Sequence, residues 1–472
     1  MLIAGLVLAI ILAFILLLCV RAAVFLPPKA AKQEKSVPHD IDFPGAIENL
    51  RAMIRLKTVK GNTEAFLEFK DLLPKLYPLV HSNCERHLIG TGGLVYHYKG
   101  ESDKEPTILM SHYDVVPADE NEWEKPPFSA EHIGGEIWGR GTLDTKGTLC
   151  AILETAEALI RRNFVPKNDI YFAFGHDEET DSTDAPAIVS WLESKGVRPA
   201  LVLDEGGAVV EKVFPGVKSR IAVIGTGEKG GLNIKLTYKA DGGHSSMPPK
   251  RTPIGQLAKA VVTIEKKPFR AVLAEPVKEM FDTLGRHSSF GFRLIFANMW
   301  CLRPLFFQLC KQMGGELNAL VRTTVAFTQM QGSSAHNVLP PVATVGANLR
   351  LMRETSPEDA ASHFKKHIKN DKIELTWEGE NAPMYSKSDS EGFRKVACAI
   401  NKTWPDAIVT PYLMRACTDS RHYRKICDVV LRFSAAHFTQ DDLKRIHGNN
   451  ERITEGQFNE TLEFYQNLML DI

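Results

Sequence analysis

The sequence predicts an α/β fold with a mainly parallel sheet, interrupted by a second, inserted domain. Three observations predict it. Apolar strand-like runs alternate with a helix-period pattern between residues 107 and 203, residues suited to chemistry sit directly after those runs, and the pattern changes character from about Val223. With 472 residues, 44% hydrophobic and 24% charged, the chain can bury more than one core. Lys plus Arg equals Asp plus Glu at 57 each, so nothing in the charge balance favours nucleic acid as a partner, and substrate choice falls to a local site.

Taken in order, the stretch Leu2 to Val20 carries no charge and reaches roughly 29 Å at 1.5 Å per residue, about one hydrocarbon core. It predicts an uncleaved single-pass anchor, held in the lipid bilayer through residues 2–20. A cleaved signal peptide fits less well, because no basic residue precedes the apolar run and no A-x-A site follows it. Arg21, Lys29, Lys32 and Lys35 favour a cytoplasmic flank. Sequons at Asn401 and Asn459 would matter only on a secretory route, so the side of the folded body stays open. Pro27 to Pro38, rich in Pro, Ala and Lys, reads as a tether.

The body begins near Ile41. Strand signals at Thr107 to His112, Ile170 to Phe174 and Leu201 to Leu203 flank a helix pattern of Leu149, Ile152, Leu153, Ala156, Leu159 and Ile160. A strand at Leu232 to Tyr238, a helix capped at Thr252 and Pro253, and a strand pair at Thr323 to Gln329 and Ala343 to Met352 make the inserted block. The predicted units are therefore 1–38 for the anchor and tether, 41–222 for the first part of the main domain, 223–353 for the insertion, and 354–472 for the return. The eight cysteines lack zinc-type CxxC pairs and read as small buried side chains.

Five local signals carry chemistry. In Ser111-His112-Tyr113-Asp114, alternate residues of an extended segment point the same way, so Asp114 can orient His112. Alone, such a pair is as readily structural. Gly139 to Gly147 delivers Asp144 to a helix entry without the spacing of a P-loop, which favours a metal-bridging carboxylate over a nucleotide site. Asp177, Glu178 and Glu179 would repel one another unless solvated or compensated by a cation. Leu203-Asp204-Glu205-Gly206-Gly207 is a further acid after a strand, and Ile446-His447-Gly448 supplies a distant imidazole. Two histidines and three carboxylates on separate strand ends suit Zn²⁺ or a related divalent ion, with one glutamate left for proton transfer.

In order and wording, SHYDVVP, WxxPPFSA, GRGTLDTKG, GHDEE, LDEGG, GGHSS, TDSR and KRIHGNNE resemble the zinc aminoacylase and carboxypeptidase family, which includes carboxypeptidase S and the N-fatty-acyl-amino-acid synthase/hydrolases. The resemblance runs from about residue 45 to the end. It implies a zinc-peptidase-type α/β/α catalytic domain with an inserted α+β lid domain of a dimerisation type, so a homodimer is allowed. It also implies two Zn²⁺ per chain, with Co²⁺ or Mn²⁺ as substitutes. His112 and Asp204 would hold one ion, Glu179 and His447 the other, and Asp144 would bridge them. Asp114 would orient His112, Glu178 would act as general base, and His244 would stabilise the oxyanion. Arg350 would grip a substrate carboxylate, Asn337 would assist, and Arg421 is a second candidate for that grip. Cys417 departs from the small or polar residue common among relatives at that position.

The expected activity is metal-dependent hydrolysis of the amide bond of N-acyl amino acids, reversible in principle. A carboxypeptidase or dipeptidase acting on short peptides with a free carboxylate is the alternative, and a catalytically silent, anchored binder is a third reading. The aromatic stretch Met280 to Leu320 reads as core, as an acyl-chain groove, or as a surface resting on the bilayer.

Overall fold

Strands buried on both faces are what a parallel sheet between two helical layers requires, and the central strands meet that demand residue by residue. In Ser102–His112, Ile108 and Met110 pack with Ala185, Ile188 and Leu192 of the helix Asp184–Ser194, while Leu109 packs into the opposite layer with Leu149, Ile152 and Leu153 of the helix Lys146–Arg161. The computed structural model describes residues 2–28, 40–214, 216–379 and 384–472, so the predicted tether lies outside the described residues from residue 29 onward.

Eight strands form the large sheet, in the order Glu85–Ile89, Gly93–Tyr98, Asn168–Gly175, Ser102–His112, Leu201–Val210, Val430–Phe438, Ile221–Glu228 and Ile408–Met414. Its centre is parallel, as predicted. Both flanks introduce antiparallel neighbours, so the whole sheet is mixed. The strand-helix alternation near residues 107–203 reports the centre alone. Every parallel central strand delivers its C-terminal end to one edge, where open α/β sheets place their sites.

A second, antiparallel sheet runs in the order Thr324–Gln331, Val342–Leu351, Gly230–Lys239 and Ile373–Gly379. The helices Pro253–Glu265 and Pro357–Ile368 cover it, contributing Leu257, Ala260, Ile264, Ala360 and Phe364 to its core. The Thr252 side chain caps the first of these by accepting from Gly255 N at 3.1 Å.

These pairings move the expected boundaries of 223 and 353. Ile221–Glu228 belongs to the large sheet, and the second sheet takes its fourth strand from residues 373–379. That strand's short alternation of Ile373 and Leu375 could serve an edge of either sheet, and its pairing with residues 232–238 is invisible locally. At the junction, buried Lys229 donates to the Ala319 and Arg322 carbonyls at 3.1 and 2.9 Å.

The aromatic stretch also changes allegiance. Met280, Phe281, Leu284, Phe306 and Cys310 join the core of the large sheet and not that of the second sheet, and the helix Glu275–His287, which bears the first three, packs against the edge strand Ile408–Met414. At the other end of the chain, Leu2–Val24 is one helix, long and apolar enough to cross a membrane, with a window of mean hydropathy 3.3 in which no residue is buried. All eight cysteines carry free thiols.

Under the sheet, Arg432 and Glu228 form an ion pair of 3.0 Å with both side chains nearly inaccessible, and Glu228 also accepts from Thr418 N at 3.2 Å. Removing one partner of such a pair strands a buried charge. Arg432→Met is therefore expected to lower unfolding stability by about 3–5 kcal/mol in urea titrations, and the double change Arg432→Met with Glu228→Leu to recover part of that loss.

Candidate metal centre

Glu451 organises the loop that bears Asp144. It is fully buried, and its Oε1 accepts from Leu143 N at 2.7 Å and from Asp144 N at 3.3 Å, while Gly141 N donates to the same carboxylate at 3.1 Å. Arg140 closes the arrangement: one Nη donates to Glu451 at 2.8 Å and the other to the Gly448 carbonyl at 2.8 Å. The same carboxylate thus fixes the Asp144 loop and, through Arg140, the turn that carries His447. Gly141, at φ +92°, takes a conformation that a residue with a Cβ would resist.

His112, at the end of its strand, is held from behind by Asp114, whose Oδ1 lies 3.2 Å from Nδ1. Asp114 also accepts from Glu178 N at 3.3 Å and Glu179 N at 3.0 Å. One carboxylate therefore aligns an imidazole and the acidic loop after the strand Asn168–Gly175. In front, His112 Nε2 lies 3.0 Å from Asp144 Oδ1 and 3.5 Å from Glu205 Oε1. Asp144 Oδ2 lies 3.0 Å from His447 Nε2, which lies 3.0 Å from Glu179 Oε1. Asp144 thus turns one oxygen to each imidazole.

Two donor groups result, His112 with Asp144 and Glu205, and Asp144 with Glu179 and His447, each with its ligand atoms within 4.8 Å of one another. Within the strand Leu201–Val210, the side chain that joins the first group is Glu205, next to the Asp204 to which the sequence points. Asp204 is turned away, accepting from Ser420 N at 3.0 Å, although it lines a small cavity with His112, Glu178 and Asp419. The physical reason is an irregularity in that strand: its register with Val430–Phe438 jumps between Asp204 and Gly207, and Gly206 stands at φ +138°. Alternation counted from sequence cannot see it.

Charge crowding makes the pair of groups a candidate cation site. Burial pushes Glu178 up to about 8, with the charges of Asp419, Asp144 and Glu179 adding to the push and His112 opposing it. Glu205 is raised well above the usual carboxylate range by burial and by Asp144. His447 is raised to about 10 by its bonds to Asp144 and Glu179. Burial works against the charge on Asp144, but hydrogen bonds from both histidines win and hold it well below the usual range. Protons here do the work that divalent cations would do better, and the oxygen-rich donors with two imidazoles fit such ions.

A third cluster, His176 with Asp177 and Asp184, satisfies itself: Asp184 accepts from His176 Nδ1 and Asp177 accepts from Thr183 N and Oγ1.

Around the centre, Glu178 belongs to neither donor group. Arg421 donates to the Thr418 carbonyl at 2.9 Å and to Ser182 Oγ at 3.1 Å, and Ser182 in turn donates to buried Asp419. Arg350 reaches from the second sheet to Cys417 Sγ at 3.5 Å, so two guanidinium groups flank the Cys417–Thr418 step. His244 and Asn337 meet at a separate two-stranded ribbon, Gly243–His244 with Val338–Leu339, beyond the second sheet, where Ser245 N donates to the Asn337 carbonyl at 3.0 Å and the His244 ring bonds Ser246 at 2.8 Å. Both are exposed there and stand outside the two donor groups. Glu205, Glu451 and Asp419 are the residues that sequence reasoning missed, although each lies inside or beside a quoted motif.

Residues 108–471 match the model of peptidase family M20/M25/M40. The chain belongs to the M20 family. It is, accordingly, a metal-dependent hydrolase of the peptidase type. Among curated proteins it is 34% identical to the probable carboxypeptidase S-like 2 of Dictyostelium discoideum, over 96% of this chain and 91% of that one. It is 35% identical to the N-fatty-acyl-amino acid synthase/hydrolase PM20D1 of Xenopus tropicalis, over 90% and 85%. In fold it is similar to an M20 metallo-carboxypeptidase of Sulfolobus solfataricus, with TM-score 0.66 at 19% identity, covering 90% of this chain and 98% of that one. A dinuclear metal-binding M20 peptidase of Bacillus subtilis aligns with TM-score 0.56 at 12% identity, over 91% and 97%.

The donor sets separate two adjacent acids. Glu205→Gln is expected to cut bound metal by about one ion per chain, measured by elemental analysis, whereas Asp204→Asn keeps the full complement. The reverse pattern would return the ligand role to Asp204.

Proposed function

We propose that this M20 hydrolase cleaves the amide bond of N-acyl amino acids, long fatty acyl chains included, using two zinc ions held by His112, Asp144 and Glu205 and by Asp144, Glu179 and His447. The observation that carries the reading is the position of Glu178. It stands on a loop pinned by Asp114, beside both donor groups and inside neither. Burial and the neighbouring acids raise its pKa, which makes it a stronger base than a solvated glutamate. The bound ions supply Lewis acidity toward a carbonyl oxygen and make water a better acid. Glu178 accepts the proton of the attacking water and passes it to the leaving amine nitrogen, and by microscopic reversibility the same residue serves the condensation. Asp114 keeps the His112 ring and the Glu178 arm in fixed relation.

Arg350 and Arg421 grip the substrate carboxylate, for which planar guanidinium forks are suited. Neither forms an ion pair with a carboxylate among the described residues, which supports that role. His244, with Asn337 beside it, serves as the oxyanion donor once its two-stranded ribbon, from this chain or a second copy, closes on the centre. The helix Leu2–Val24 holds the enzyme on a membrane.

The similarity to synthase/hydrolases of N-fatty-acyl amino acids, 32% identity with the human enzyme included, supports the acyl-amino-acid reading. The similarity to a carboxypeptidase S-like protein supports a second reading, hydrolysis of short peptides with a free carboxylate. The two share the carboxylate grip and diverge at the acyl side. A complete donor set with a free base beside it argues against a silent binder.

Glu178→Gln is expected to lower kcat by 10²-fold or more with metal content unchanged. Loss of metal in that variant would move Glu178 among the ligands. A panel of one amino acid carrying N-acyl chains of two to eighteen carbons is expected to show kcat/KM rising with chain length, since each buried methylene contributes about 0.8 kcal/mol. Dipeptides preferred over every acyl chain would select the peptidase reading. In the same panel Arg350→Ala is expected to weaken free acids far more than their methyl esters.

A further inference from the structure

The lower end of the N-terminal helix is bolted to the aromatic segment of the body. Arg21 Nε donates to Asn298 Oδ1 at 3.2 Å, Arg21 Nη2 donates to the Ala297 carbonyl at 3.1 Å, and Asn298 Nδ2 donates back to the Leu18 carbonyl at 3.1 Å. Arg286 donates to the Leu26 carbonyl at 3.2 Å and lies 4.3 Å from the Phe25 ring centre. Asn298 and Ala22 are fully buried in this joint.

The contact continues up the helix. The Trp300 ring meets Phe14 edge-on with centroids 6.3 Å apart, and Phe14 lies seven residues, about 10 Å, above Arg21 on the helix axis. If residues 2–20 occupy the hydrocarbon core, Trp300 cannot stay in water. It is nonetheless 60% exposed, and on the helix Met299–Met313 so are Leu305 at 69% and Met313 at 63%. In water these apolar faces are a cost, and in lipid they are not. Phe290–Gly314 also contains three basic residues, Arg293, Arg303 and Lys311, and no acid, a composition suited to anionic headgroups.

We propose that the segment from Phe290 to Met313 is a second membrane element, seated in the bilayer interface beside the anchor with Trp300 among the acyl chains and Arg303 and Lys311 at the phosphates. The occupant of this face is an anionic lipid bilayer. The inference rests on the reading of Leu2–Val24 as an anchor and adds a fixed posture to it: two lipid contacts joined by the Arg21–Asn298 bolt hold the body at one height and tilt.

The full chain, reconstituted into vesicles of phosphatidylcholine and phosphatidylserine with a fraction of acyl-brominated lipid, tests it. The wild type is expected to resist alkaline carbonate and to show bromine quenching of tryptophan fluorescence that disappears in Trp300→Phe. The exposed triple change Leu305→Glu, Leu309→Glu and Met313→Glu is expected to keep carbonate resistance, metal content and hydrolysis of a short soluble substrate, while its quenching falls severalfold. Release of the wild type by carbonate would overturn the anchor and, with it, the depth assigned to Trp300. Carbonate resistance with no Trp300-dependent quenching would overturn the second element alone. So would a triple variant that loses self-association with its quenching unaltered, which would give the face to a second copy of the chain.

Discussion

The buried carboxylate of Glu451 is the constraint on which the centre depends. A loop that presents Asp144 between two imidazoles must leave its own backbone N–H groups pointing inward, and such groups are costly unless paired. Glu451 pairs those of Gly141, Leu143 and Asp144 at once, and Arg140 neutralises it while reaching the turn after His447. Burial by itself raises the pKa of Glu451; the guanidinium and the loop N–H groups act in the opposite direction. Without this knot, the two donor groups would lose the geometry that lets Asp144 serve both.

The same economy recurs with Asp114. A single side chain orients His112 and accepts from the backbone N–H groups of Glu178 and Glu179, so these three residues share one support. Crowding so many carboxylates is unfavourable in isolation, and their shifted ionisation records that tension. The large sheet makes it tolerable. Parallel strands bring their C-terminal ends to one edge, and the helices on both faces supply the packing that the polar edge forgoes.

What the sequence disclosed follows from how local each signal is. The strands ending at His112 and Gly175 are announced by apolar runs with adjoining polar residues, the helix after Asp144 by its apolar period and a glycine-punctuated turn, and His447 only by its motif. The placing of Glu205 rather than Asp204 beside His112 and Asp144 goes with a strand irregularity that shows only in the pairing with residues beyond 430. Glu451 looks like one more charge in KRIHGNNE until the Asp144 loop is seen folded onto it. The aromatic stretch declared burial but not its partner, because Phe281 and Phe306 would satisfy any apolar surface, and it is the core of the large sheet that takes them.

Chain order gives the sheet a temporal meaning. The strand Val430–Phe438 lies between Leu201–Val210 and Ile221–Glu228, and His447 and Glu451 come just after it. A ribosome must therefore emit nearly the whole polypeptide before the middle of the sheet can close. Until then Asp144 has only one of its two imidazole neighbours, so a nascent or prematurely terminated product cannot bring the two donor groups together. Competence for hydrolysis waits on the segment that carries His447 and Glu451.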